Sequence, residues 1–228
     1  MPSLYFTQFS KVSSTALSTF GSKHNARERG LQISRSVIRL SANAIRAIHR
    51  REFEEAEALI SDGRTQLEQS FSILESNPEI YYAGFLADAR KEFSEANITL
   101  ALLSGNKLPQ PEDICVDVGS YLKGLGDAAG EMRRYILDSL RKDDLARCEE
   151  IMEVMDELYG LLCTIDFPEG VTGGLRHTTD MVRGTLERTR GDFTMAMRQR
   201  SLENKLASWE HVIEKMQRTT ADISANNM

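Results

Sequence analysis

The chain has 228 residues, 41% hydrophobic, 7% aromatic and 27% charged, with a formal net charge of −6. That size suits one sizeable globular unit. Five prolines, few aromatics and an abundance of helix formers lean towards an all-α fold. No run approaches the roughly 18–20 apolar residues of a membrane span, and the N-terminus lacks a basic region followed by an apolar core, so neither a spanning segment nor a signal peptide is expected. Cys115, Cys148 and Cys163 are odd in number and without CxxC spacing. They indicate neither a disulfide framework nor a zinc knuckle, and suit a reducing, cytoplasmic compartment.

Residues 1–20 are expected as a loosely held arm ahead of a single helical unit over 21–228. The first helix is predicted from about Ser22 to Arg50, with Leu31, Val37, Ile38, Ala42, Ile45 and Ile48 at three-to-four spacing. A second runs from about Glu52 to Leu74. Pro78 opens a third that continues to about Leu103. The stretch "SGNKLPQPEDI" is the clearest loop, followed by a fourth helix over Ile114–Leu140 and a fifth over Asp143–Ile165. Beyond "DFPEGVTGG", Leu175 to about Ser224 forms one helix or two, and "SANNM" should fray. No strand-like alternation appears. Short loops force the helices to pack on one another, giving an all-α bundle of about six to seven helices.

Charge is unevenly placed. From Lys23 to Arg51 eight basic side chains face Glu28 alone, and from Val171 to Arg200 six arginines face three acids. The rest of the chain is acidic. Arginines outnumber lysines 20 to 8, and the planar guanidinium matches phosphate better than an ammonium does. A concentrated basic face lets an acidic protein bind RNA, although the same run also fits a solvated helix face. From this run Arg35, Arg39 and Arg46, with Arg90 and Lys91 on the third helix, are candidate nucleic-acid contacts.

Two acid pairs stand out. Glu92 and Glu95 lie three apart on the third helix, and Asp127 and Glu131 four apart on the fourth, so each pair shares a face. If the two faces meet, four carboxylates offer the hard oxygen ligands of magnesium or manganese, and such an ion activates water towards a phosphodiester. Spacing alone is common in a chain with 34 acids. The neighbourhood is more telling, because Gly124, Gly126, Ala128, Ala129 and Gly130 leave room for a second backbone or a ligand. The alternative is that the glycines only ease helix packing and the acids pair with Arg133 and Arg134.

Other signals are weaker. The four histidines are scattered, and no ExxH motif follows either acid pair, which disfavours a di-iron bundle. P-loop, GxGxxG and GxSxG motifs are absent. "GVTGGLRH" fits a helix-entry turn better than an anion cradle. Met152, Met155, Met195 and Met197 are expected in the core.

Several segments resemble the translin and translin-associated factor X family. "YLKGLGDAAGEMRR" is similar to that family's helix with an aspartate and a glutamate four apart among small residues. "KEFSEA" resembles the corresponding acidic segment of the translin-associated factor X branch, and "KHNARERGLQISRSVIRLSANAIRAIHR" resembles the family's first helix. The similarity extends over roughly residues 22–203. It implies an all-α bundle assembling into hollow, usually octameric rings or shells that bind single-stranded RNA or DNA. It also implies a magnesium-dependent endoribonuclease centre, for which Glu92, Glu95 and Asp127 would be the acids and Glu131 a supporting ligand. All four are present, as in the catalytic branch. A non-catalytic shell holding single-stranded nucleic acid is the alternative. Where the translin branch is rich in histidine and arginine on the third helix, this chain has only Arg90 and Lys91.

Overall fold

The three-to-four spacing of apolar side chains builds a wholly helical structure in the computed structural model, which describes residues 4–226 apart from Asp143 and Ala146. The elements are α1 (Leu4–His49), α2 (Phe53–Glu68), α3 (Phe71–Ser76), α4 (Pro78–Tyr81), α5 (Gly84–Ser104), α6 (Val118–Arg141), α7 (Cys148–Thr164), α8 (Glu169–Thr172) and α9 (Leu175–Asn226). The expected first helix is longer than its apolar pattern: α1 starts at Leu4, and its turns over residues 5–20 are exposed apart from half-buried Ala16. The expected second helix divides into α2 and α3, and the expected third into α4 and α5 at Tyr82–Ala83. The last stretch is one continuous helix, α9. Of the C-terminal tail expected to fray, Asn227 and Met228 lie outside the described residues.

α5 sits at the centre, packed against α1, α2 and α6. Its composition explains this position. Leu86, Ala89, Phe93, Ala96 and Ile98 are completely buried, and with buried Arg90, Ser94, Glu95, Thr99 and Leu103 they spread burial over most of its circumference. Each large apolar side chain buried this way contributes about 1.5–3 kcal/mol. α6 in turn packs on α7 and α9.

α5 and α6 run in the same direction: the Ser120 hydroxyl meets the Ala87 carbonyl, and farther along both helices Lys91 meets Asp127. Consecutive parallel helices need a return crossing. A 21-residue helix is about 30 Å long, and the proline-bearing loop from Gly105 to Asp117 is long enough to span that length while turning over residues 111–115. The Tyr121 hydroxyl donates to the Pro109 carbonyl at 2.6 Å and pins the loop. Arg147 donates to the carbonyls of Leu102 and Leu103, satisfying the end of α5. Asp117 caps α6, its Oδ1 accepting from the Ser120 N–H at 2.9 Å.

Cys148 is buried, and all three cysteines are free. Met152 and Met155 belong to the core as expected, but Met195 and Met197 do not: they are 67% and 36% exposed. The expectation failed because both lie where α9 is leaving the bundle. No described helix is long and apolar enough to cross a membrane.

Candidate metal centre between two parallel helices

The site is built by the close approach of α5 and α6. A side chain at Gly124 would place its Cβ 2.6 Å from the Lys91 carbonyl oxygen, 2.7 Å from Ser94 Cβ and 2.9 Å from the Glu95 nitrogen. Only glycine lets the two backbones press together there. Asp127, one turn beyond Gly124, is thereby set opposite Glu92 and Glu95. Gly126 serves the opposite face, where an added Cβ would collide with the Thr178 methyl of α9. Gly130 has nothing within 4 Å of an added Cβ. Two of the three glycines therefore answer to helix packing, and the third, Gly130, borders open space.

Glu92, Glu95 and Asp127 each present a carboxylate oxygen within 4.8 Å of the others. Glu95 is 9% exposed, whereas Glu92 and Asp127 are half-buried. The trio is thus anchored deep and open at one side. Its electrostatics are those of a cation site. Burial, then the charges of Glu92, Asp127 and Glu131, push the Glu95 carboxyl up to about 8, with Lys91 opposing. Lys91 Nζ lies 2.6 Å from Asp127 and 3.1 Å from Glu92. Burial works against its ammonium, but the bonds to Asp127 and Glu92 outweigh that and raise its pKa. Three carboxylates around one ammonium still leave a surplus of negative charge in a poorly solvated place, so a divalent cation fits the donor set.

Glu131 stands outside this trio. Its Oε2 bonds to His49 Nε2, at the end of α1, and lies 3.7 Å from Arg134. The His49 bond, opposed by burial and aided by Arg134, holds the Glu131 carboxyl below the usual carboxylate range. Its effect on Glu95 is electrostatic. Composition and spacing gave no sign of His49. Its ring is brought in by a helix 82 residues away in sequence, and only the resemblance of the segment ending in "AIHR" to the family's first helix covered the position.

The basic candidates separate into three groups. Arg35, Arg39 and Arg46 are exposed on α1. Their spacings of four and seven put them in one row, and His49, three residues on, continues it. The arginine row therefore leads along α1 to the histidine that touches Glu131. Lys91 is part of the acidic cluster itself. Arg90 is a correction: it is 2% exposed, bonds Asp117 through Nε at 2.8 Å, donates to the Tyr81 carbonyl and lies over the Tyr81 ring. It is one position from Lys91 but on the inward side of α5, so it holds the fold together and is not free to meet a phosphate.

No family model matches the chain. It is 32% identical over 189 residues to an uncharacterized protein of Methanocaldococcus jannaschii, covering 81% of this chain and 82% of that one. Among solved structures it is similar to AfC3PO in complex with duplex RNA, at 31% identity and a TM-score of 0.75, covering 82% of this chain and 97% of the other. AfC3PO solved by itself gives a TM-score of 0.74. Apo-NeC3PO, at 20% identity and a TM-score of 0.73, shares the fold. The parallel α5–α6 pair carrying the acids, and the match across nearly all of AfC3PO, agree with the motif resemblance: the chain belongs to the translin and translin-associated factor X family.

Proposed function

We propose that this chain is a metal-dependent endoribonuclease that binds and cleaves single-stranded RNA inside a homo-oligomeric shell, in the cytoplasm, with eight subunits as the expected number. The observation that carries the reading is the convergence of Glu92, Glu95 and Asp127 from two helices within 4.8 Å. Similarity to a protein solved with duplex RNA supports RNA as the ligand class.

The three carboxylates would hold magnesium, and the same hard oxygen set accepts manganese. When bound, such an ion activates water and neutralises charge on a phosphodiester. The remaining roles belong to the chain. Glu95 anchors the site from the buried side, while Glu92 and Asp127 face the opening. Lys91 offsets part of the trio's charge in the absence of a cation by pairing with Glu92 and Asp127, and once released from Asp127 its ammonium is available to a phosphate. Glu131 fixes the ring of His49 beside the site. Arg35, Arg39 and Arg46 contact the RNA backbone along α1, which positions the strand without reading its sequence.

One observation favours a second reading. Lys91 already satisfies Asp127 and Glu92, so the acids are stable without metal, as a non-catalytic shell holding single-stranded RNA or DNA would require. Incubating the purified protein with labelled single-stranded RNA, with magnesium or with a chelator, separates the two. A Glu95→Ala/Asp127→Ala double variant of unchanged oligomeric mass runs beside it. Magnesium-dependent cleavage lost in the variant supports the nuclease. Salt-sensitive binding without cleavage in either protein supports the shell.

A further inference from the structure

The helices α1, α5 and α6 end together. α1 runs parallel to α5: the Ser34 hydroxyl meets the Phe85 carbonyl near the start of α5, and Ile48 shares a cavity with Leu103 near its far end. α6 runs the same way as α5. The three C-termini, with the start of α2 and the approach to α7, enclose that cavity of about 300 Å³. Ile48 and Leu103 are buried at its back, and the rings of Phe53 and Tyr135 are half-buried in its wall. Such a volume lies at the lower end of small-ligand pockets and suits one flat ring system.

The polar groups around the cavity describe its ligand. Three helix C-termini bring partial negative charge, which disfavours an anion. Two arginines answer that charge. Arg147 donates to the carbonyls of Leu102 and Leu103, and Arg51 reaches Asp144 at 3.2 Å. Arg51 does so from a backbone φ of 64°. There its own N–H bonds the Ile48 carbonyl and the Glu52 N–H bonds the Ala47 carbonyl, a helix ending that favours glycine. An arginine at that position gives up backbone ease for a guanidinium beside the cavity.

Asp138 and Lys142 remain. They lie one turn apart on α6, and both line the cavity. Among the described residues the Lys142 side chain has no ion pair. Asp138 has only Arg141, 3.6 Å away with its side chain 83% exposed. A carboxylate and an ammonium side by side accept from an N–H group and donate to a neighbouring ring nitrogen or carbonyl. A nucleobase with an exocyclic amine offers that pair of groups on one edge. Uracil fits poorly, because its one ring N–H lies between two carbonyls that repel a carboxylate.

The cavity adjoins the acidic trio. Asp127, Glu131, Tyr135 and Asp138 follow one face of α6 at spacings of four, four and three. His49 bonds Glu131 and also lines the cavity. Asp127 and Tyr135 are about 12 Å apart along the helix, so a strand laid across the trio reaches the cavity within a few nucleotides.

We propose that this cavity is a subsite for one unpaired, amine-bearing base of the bound strand. The base stacks on Tyr135 and is held at its edge by Asp138 and Lys142, as unpaired RNA bases are commonly read. The proposal rests on single-stranded RNA as the ligand, whether or not the strand is cut.

Cytosine and uracil have the same shape and differ at this edge, so they make the test. A labelled run of uridines is compared with the same run carrying one central cytidine. With a chelator present, the full-length protein should bind the cytidine strand about tenfold more tightly. Asp138→Asn should abolish the preference, because an amide also donates to the uracil carbonyls, while the melting temperature holds. With magnesium, the cut should keep a fixed distance from the cytidine as that base is moved along the run. Equal affinity for the two strands in the unaltered protein overturns the subsite and leaves the nuclease reading standing. So does a preference that survives Asp138→Asn, because the base is then read elsewhere, and so does a cut that ignores the cytidine. A preference lost in Asp138→Asn, with no cut in magnesium, supports the subsite and overturns the nuclease reading alone. Binding of neither strand overturns both.

Discussion

Gly124 lies against the backbone of Lys91, and a Cβ there would stand 2.6 Å from the Lys91 carbonyl oxygen. This contact sets the distance between the helix bearing Glu92 and Glu95 and the helix bearing Asp127. Gly124→Ala should therefore act on the site as well as the fold. Overpacking of this kind costs about 1–3 kcal/mol, and divalent-cation affinity should fall with it. Gly130→Ala, in open space on the same helix, should instead stabilise by about 0.5–1 kcal/mol through helix propensity. Thermal melts and metal titration of the two variants make the comparison.

Glu95 should make metal-free stability depend on pH. Its carboxyl, raised by burial and by the surrounding acids, is pushed up to about 8 from an ordinary 4.5. Between these values the folded chain holds a proton that the unfolded chain has released. The Glu95 contribution is thus fully favourable below about pH 4.5 and is lost as pH rises through about 8. Glu95→Gln should flatten that decline in melting temperature. Magnesium should reverse it in the unaltered protein and not in the variant.

Asp117 couples a helix cap to a buried arginine. Burial opposes its charge, but the Ser120 N–H and hydroxyl and the Arg90 guanidinium hold its carboxyl below the usual range. Its contribution is present above about pH 4 and is lost as pH falls through the lowered value. Asp117→Ala removes the cap of α6 and leaves Arg90 buried without its carboxylate. A loss of about 2–4 kcal/mol is expected by denaturant unfolding, with Asp117→Asn recovering the cap part.

The arginine row should be visible in the salt dependence of RNA binding. Replacing Arg35, Arg39 and Arg46 with alanine removes up to three phosphate contacts. The slope of log affinity against log salt for a single strand should become shallower by about two. Arg90→Ala should lower stability while leaving that slope unchanged, apart from the unfolded fraction. An unchanged slope in the triple variant would remove α1 from the RNA path.

The sequence by itself determined the all-helical class, the main helix-bearing stretches and the acids, because these rest on local periodicity, punctuation and side-chain chemistry. The family resemblance singled out Glu92, Glu95 and Asp127 before any packing was visible. Tertiary structure decided the rest. Periodicity cannot say which helix covers which, so it did not show that α5 and α6 run in parallel, or that Gly124 sets their spacing. The inward turn of Arg90 beside the half-exposed Lys91 depends on which face of α5 meets α4 and the start of α6. Glu131 and His49 meet across 82 residues, a contact that no local spacing encodes. Met195 and Met197 have core chemistry without a core to enter, because a helix continues by its own backbone hydrogen bonds after the bundle beside it has ended.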